Sequence, residues 1–250
     1  MNIDAKELFI FDLDGTLAPS KSPLEPDMAE LLSRLLKKRK VAVISGGAYP
    51  QFETQFLHSF PANCPDFTNL MLLPTSGTRL MKWKGLWTDV YVEHLSPSEK
   101  AKIMSALNEA LTICGYVRPQ KIYGQLIEDR GSQITFSGVG QQAPLEIKST
   151  WDHDRKKREA IVAVLKQKIP QFDARIGGTT SVDITKKGVN KAYGIRKLEN
   201  HFKLKPDHIV FVGDALFHGG NDYPAKATGV DCIQVSGPEE TKELIRSWLK

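Results

Sequence analysis

The run Leu8-Phe9-Ile10-Phe11-Asp12-Leu13-Asp14-Gly15-Thr16-Leu17 decides how the rest of this chain is read. Four apolar residues lead, without polar alternation, into two carboxylates and a Gly-Thr turn. Such a run predicts a strand over residues 8–14, buried on both faces as in a parallel sheet. In sheets of that kind ligands bind beyond the carboxyl ends of the strands, where Asp12 and Asp14 fall. Two carboxylates so close repel, and a hard cation with oxygen ligands, such as Mg2+, relieves the repulsion. Gly15 permits the sharp turn that exposes them. A bare Asp-x-Asp is explained equally well as an acidic turn, but here three partner motifs follow in order.

A chain of 250 residues holds one large or two modest domains with real cores. No apolar run approaches the ~20 residues of a membrane span, so no membrane association is expected. The N-terminus leads directly into the first strand, and no secretory leader is expected. Cys64, Cys114 and Cys232 are odd in number and lack C-x-x-C spacing. They read as buried thiols in a reducing, cytoplasmic setting. The net charge of +5 is scattered; the densest run, Lys37-Lys38-Arg39-Lys40, falls at an expected helix end, where cations suit the macrodipole. No basic stripe interleaved with aromatics is present, so no nucleic-acid partner is expected, whereas a phosphorylated small molecule suits the surplus charge.

In chain order, Met28, Leu31, Leu32, Leu35 and Leu36 recur at helical spacing behind Pro26. Residues 41–44 form a second buried strand running into Ser45-Gly46-Gly47, whose hydroxyl and free amides can hold phosphoryl oxygens. A helix over 51–57, a strand over 69–73 and a hairpin over 81–92 flanked by Trp83 and Trp87 follow. The character then changes. A helix over 97–113 capped by Ser96 or Ser98, short strands at 126–128 and 133–136, a polar loop over 140–148, a helix over 152–168 and a strand over 181–184 predict a separate α+β unit. The α/β pattern resumes with a helix after Val189-Asn190-Lys191 and a strand over 209–212 ending in Gly213-Asp214. A glycine-rich turn then reaches Asn221-Asp222, before a strand at 231–235 and a helix over 239–249. The expected fold is α/β: a Rossmann-like parallel-sheet core of residues 1–88 and 187–250, with an inserted α+β cap of residues 89–186.

Placed side by side, the strand ends bring Asp12, Asp14 and Asp214 around one Mg2+, with Ser45 and Lys191 in reach of a phosphoryl group. This order of motifs resembles the haloacid dehalogenase superfamily of phosphatases and phosphomutases. The resemblance implies Asp12 as nucleophile, Asp14 as general acid/base, and a Mg2+ held by Asp12, the backbone carbonyl of Asp14, and Asp214, with Asp222 supporting its shell. Lys187 is a rival of Lys191 for the lysine role, but Lys191 sits better, at a helix start.

The chain resembles most the eukaryotic-type phosphomannomutase family, through Gly213-Asp214-x-x-x-x-Gly219-Gly220-Asn221-Asp222, through Arg130 after Ile127-Glu128-Asp129, and through Gly177-Gly178-Thr179-Thr180-Ser181-Val182-Asp183. It implies that Arg130 grips a distal phosphate, that Ser181 and Asp183 meet sugar hydroxyls, that Gly46 lines the phosphate loop, and that a homodimer forms through the cap. Three positions depart. Gln141, Lys148 and Lys21 stand where the family carries arginines, and neither Lys nor Gln reproduces a bidentate guanidinium. A phosphatase acting on a sugar phosphate is therefore expected first and a phosphomannomutase or phosphoglucomutase second. A non-catalytic sugar-phosphate binder comes third, because a binder needs no nucleophile.

Overall fold

The computed structural model describes residues 2–60 and 67–250. Cys64 lies outside them. The strands are β1 (Leu8–Asp12), β2 (Lys40–Ile44), β3 (Leu70–Leu73), β4 (Arg79–Trp83), β5 (Trp87–Val92), β6 (Ile127–Asp129), β7 (Gln133–Ser137), β8 (Phe172–Ile176), β9 (Ser181–Lys186), β10 (Ile209–Gly213) and β11 (Asp231–Gln234). The helices are α1 (Pro26–Leu36), α2 (Tyr49–Gln55), α3 (Pro97–Ile113), α4 (Leu145–Trp151), α5 (Lys156–Lys168), α6 (Lys191–Phe202) and α7 (Pro238–Trp248). The chain divides into two compact units, Met1–Val92 with Val189–Lys250, and Glu93–Gly188.

The first unit carries a seven-stranded sheet in the order β11-β10-β1-β2-β3-β4-β5. Pairing is parallel from β11 to β3 and antiparallel from β3 to β5. Side chains alternate across a strand, so each central strand supplies both faces. Phe9, Phe11, Val41, Val43 and Val212 join Leu32, Leu35 and Ile245 of α1 and α7 in one core. Leu8, Ile10, Ala42, Ile44 and Phe211 join Ile195 and Leu198 of α6 in the other. Full burial of each such side chain contributes about 1.5–3 kcal/mol, which is why these strands have no polar alternation.

The second unit carries an antiparallel sheet in the order β6-β7-β9-β8. Ile134, Phe136, Val182 and Ile184 face α3 and α5, packing against Ile103, Leu107, Ile161 and Leu165. The opposite face is polar: Gln133, Thr135, Ser137, Ser181 and Thr185 alternate with the core residues and are themselves buried. Ser96 and Glu99 form a reciprocal cap at the start of α3.

Several expectations need correction. β1 ends at Asp12, not residue 14, because β2 ends opposite it at Ile44 and Gly15 turns the chain at φ +85°. The 81–92 hairpin begins at Arg79 and extends the main sheet, so the unit boundary falls after Val92 and not at residue 89. The 140–148 segment is no loop: α4 begins within it, after Pro144. The helix expected from residue 152 starts at Lys156, since Arg155 is left-handed at φ 64°. Strand β8 had no expectation, because Phe172-Asp173-Ala174-Arg175-Ile176 covers only one sheet face. Cys114 and Cys232 are partly exposed rather than buried.

Two glycines let α6 approach the sheet. A Cβ on Gly77, which has φ +87°, would lie 2.5 Å from the Cα of Gly194 in α6. Gly77→Ala therefore combines left-handed strain, about 1–2 kcal/mol, with a backbone overlap. Urea unfolding should show a loss of at least ~2 kcal/mol, whereas Gly85→Ala, at an open hairpin turn, should lose only the strain component.

Candidate active site

β10, β1 and β2 are adjacent and parallel, so their carboxyl ends put Asp214, Asp12 and Ser45 side by side. Lys191 opens α6, where the Asn190 side chain caps the helix by accepting from the Tyr193 amide at 3.1 Å. The Lys191 ammonium contacts Asp12 Oδ1 and donates to the Ile44 carbonyl at 2.7 Å. It also lies 3.4 Å from Asp222 Oδ1. Lys191, Asp12 and Asp222 are all essentially removed from water. Lys187 is exposed in the turn before Gly188, away from any helix.

Asp12, Asp214 and Asp222 each offer an oxygen within 4.8 Å of the others. Among the described residues, buried Asp12 Oδ2 has no hydrogen-bond partner, and buried Asp222 Oδ1 has none beyond the Lys191 ammonium at ion-pair range. Buried carboxylate oxygens left this way are costly, and an all-oxygen set around them suits a hard divalent cation. Other oxygens of the set are held. Thr16 Oγ1 lies 3.5 Å from Asp214 Oδ1 and accepts from the Asp214 amide, and the Ala215 amide donates to Asp222 Oδ2. Glycine is required beside two of these groups, since a Cβ at Gly15 would lie 2.5 Å from Asp214 Oδ2, and one at Gly213 2.4 Å from Asp222 Oδ2.

One ammonium faces three carboxylates, so the charge on each group bears on the others. Burial pushes Asp12 up to about 8; Lys191 opposes this, and Asp222 and Asp14 reinforce it. Burial works against charge on Lys191, but Asp12 and Asp222 outweigh it and hold the ammonium above its ordinary range. Burial followed by the charge of Asp222 raises Asp214.

Asp14 points elsewhere. Its Oδ1 accepts from the Lys21 amide at 2.6 Å and from Gln55 Nε2 at 3.0 Å, and its Oδ2 accepts from Gln51 Nε2 at 2.9 Å. Its side chain thus stands outside the cation cluster. Gln51 and Gln55 were not singled out from the sequence; the available signal was their i, i+4 spacing on the helix following Ser45-Gly46-Gly47. The Lys21 side chain is exposed, on a left-handed backbone at φ 57°.

Ser45 Oγ accepts from the Gly47 amide at 3.1 Å. The loop is pinned by the turn after β3: the Ser76 amide donates to the Ser45 carbonyl and the Thr75 amide to that of Gly47, each at 2.9 Å. Thr75 and Ser76 both occupy the left-handed region, at φ 49° and 57°. For a buried β-branched threonine this is a strained conformation, held here by its contact with the Thr78 hydroxyl. A Cβ at Gly46 would meet open space.

In the second unit, Arg130 pairs with Glu128 at 2.7 Å. Lys148 is 5% exposed, and its ammonium donates to the Gln141 carbonyl at 2.8 Å. Gln141 Nε2 is buried without a partner. Asp183 accepts from Thr135 Oγ1 at 2.8 Å, and Ser181 is buried beside it on β9. Arg158 binds the buried Asp152 at 2.7 Å and also reaches the Gly178 carbonyl, tying α5 to the loop before Ser181.

The family profile described as eukaryotic phosphomannomutase matches residues 28–250. The chain belongs to the eukaryotic phosphomannomutase family. The phosphomannomutase of Encephalitozoon cuniculi is 27% identical over 261 residues, covering 99% of this chain and 95% of that protein. Among solved structures, a truncated Plasmodium falciparum IMP-nucleotidase superposes with TM-score 0.73 at 19% identity, covering 98% of this chain and 71% of that one. A haloacid dehalogenase-like hydrolase from Bacteroides thetaiotaomicron gives TM-score 0.65 at 15% identity, covering 97% and 99%. The structural likenesses show that the chain shares the fold of these proteins. The family match makes the chain an enzyme, with a phosphomannomutase-like activity on sugar phosphates.

The raised Asp12 has a consequence for stability. The protonated form is favoured in the folded state, so its contribution is full below the unfolded pKa near 4 and is lost as pH rises through about 8. Urea unfolding in EDTA should show this component of stability falling between pH 5 and pH 8. Excess Mg2+ should remove the fall, adding about 2.7 kcal/mol at 100 times its Kd. Asp214→Asn should lose most of that gain.

Proposed function

We propose that this protein is a Mg2+-dependent hexose-phosphate phosphatase acting through an aspartyl phosphate on Asp12. The observation that carries the reading is the state of the Asp12 carboxylate: one oxygen is gripped by Lys191 and the other is buried with no partner, as a nucleophile requires. Asp12 attacks phosphorus and the sugar oxygen leaves, taking a proton from Asp14. Water then attacks the aspartyl phosphate, giving a proton to Asp14, and inorganic phosphate is released. Ser45 and Lys191 hold the transferring oxygens. Asp12, the Asp14 carbonyl, Asp214 and Asp222 would hold Mg2+, which supplies positive charge against those oxygens.

A mutase must also grip a second, distal phosphate while the intermediate reorients. In this chain Gln141 replaces one arginine, Lys148 is buried against a backbone carbonyl, and Arg130 is paired with Glu128. Those features favour water as acceptor. The second reading, interconversion of mannose 1-phosphate and mannose 6-phosphate, is favoured by the relatives named phosphomannomutase. A cytoplasmic setting, carried by the cysteine spacing, and a homodimer through the second unit, carried by the resemblance alone, complete the proposal. Among the described residues, no helix is long and apolar enough to cross a membrane.

Phosphorus NMR of the protein with Mg2+ and mannose 1-phosphate, with and without a trace of hexose 1,6-bisphosphate, separates the readings. Steady release of inorganic phosphate, indifferent to the bisphosphate, is expected. Mannose 6-phosphate formed only with the bisphosphate would overturn the phosphatase reading and establish the mutase. Asp12→Asn should abolish either reaction.

A further inference from the structure

The polar face of the second unit's sheet has a direction. β7 and β9 pair so that Thr135 stands opposite Asp183 and Gln133 opposite Thr185. On that face Gln133 Nε2 donates to Thr135 Oγ1 at 2.8 Å, and Thr135 Oγ1 donates to Asp183 Oδ1 at 2.8 Å. The order follows from chemistry. An amide NH2 only donates, so the single Thr135 proton must go forward to the carboxylate. Gln133 is 2% exposed and Thr135 1%, while Asp183 is partly exposed. The chain thus begins in the interior and ends on an acceptor that solvent, or a ligand, can reach.

A Cβ on Gly177 would lie 2.7 Å from Asp183 Oδ2. The segment carrying Gly177 is tied to β9 by its amide, which donates to the Ser181 carbonyl at 2.9 Å, and the Ser137 and Thr180 hydroxyls join 2.9 Å apart. A wholly apolar pair at 133 and 135 would serve the fold as well, because buried neutral hydrogen bonds add little net stability. Their geometry does something an apolar pair would not: it fixes one carboxylate rotamer.

We propose that Thr135, backed by Gln133, is a positioning residue that sets the Asp183 carboxylate to accept a substrate hydroxyl, and so makes the enzyme select phosphate esters of polyols over esters lacking hydroxyls. The proposal rests on the reading of Asp183 as a sugar contact. Thr135 and Gln133 act through Asp183, so the effect belongs to recognition of the alcohol part.

The test compares mannose 1-phosphate with 4-nitrophenyl phosphate, which has no sugar hydroxyl. Thr135→Val should lower kcat/KM for mannose 1-phosphate about 10-fold or more, chiefly through KM, while 4-nitrophenyl phosphate stays within about threefold. Thr135→Ser keeps the donor and should restore both to within about threefold of the parent. Equal losses on both substrates in Thr135→Val, or a Thr135→Ser that fails like valine, would overturn the proposal in favour of a purely structural role. Should Thr135→Val fail to fold, Gln133→Met takes its place, with the same selective loss expected in smaller degree and an unselective one overturning. Asp183→Asn separates the two levels: if it leaves the preference for mannose 1-phosphate intact, the reading of Asp183 itself is wrong and the proposal falls with it.

Discussion

One buried ammonium set against three carboxylates is the constraint on which the first unit depends. Lys191 arrives from a helix and Asp12 from a strand, so the pair exists only if α6 packs close to the sheet. The approach at Gly77 and Gly194 allows that, and the Ile44 carbonyl gives the ammonium a third partner. A buried charge is tolerated only when paired, and here one ammonium is shared: Asp222 Oδ1 has it at 3.4 Å, and Asp12 Oδ2 has no hydrogen-bond partner among the described residues. The same shortage of positive charge that makes the site poor as a stabilising feature makes it receptive to a cation. Functional sites commonly violate the rules that stabilise the rest of a fold.

The second unit solves a different problem. Its sheet has one face in a core of its own and one face lined with buried hydroxyls, amides and a carboxylate. Its cations are largely engaged within the unit: Arg130 by Glu128, Lys148 by a backbone carbonyl, Arg158 by Asp152, Arg175 by Asp173. Such a surface suits hydroxyl recognition better than the gripping of a mobile, doubly charged phosphate. This contrast bears on the choice between water and a second sugar hydroxyl as phosphoryl acceptor.

Much of this was legible in the sequence, for identifiable reasons. β1, β2, β3 and β10 are buried on both faces and read as continuous apolar runs, so their ends, with Asp12, Ser45 and Asp214, could be placed beforehand. Lys191 was marked by its position after Asn190 at a helix start. β8 was not legible, because only alternate residues of a short segment face its core, and α4 was hidden by the polar composition around Pro144. Gln51 and Gln55 were invisible because holding Asp14 depends on where α2 lies in space. The Gln133–Thr135–Asp183 chain depends on strand register, which spacing along one strand cannot reveal.

In the proposed reaction the unpartnered oxygen of Asp12 takes the phosphoryl group. Rapid acid quench with 32P-labelled mannose 1-phosphate, tryptic digestion and mass spectrometry test it directly. Hydroxylamine-sensitive label on the peptide spanning residues 7–21, assigned to Asp12 and absent in Asp12→Asn, is the expected result. Turnover without a labelled peptide, or label elsewhere in the chain, would contradict it.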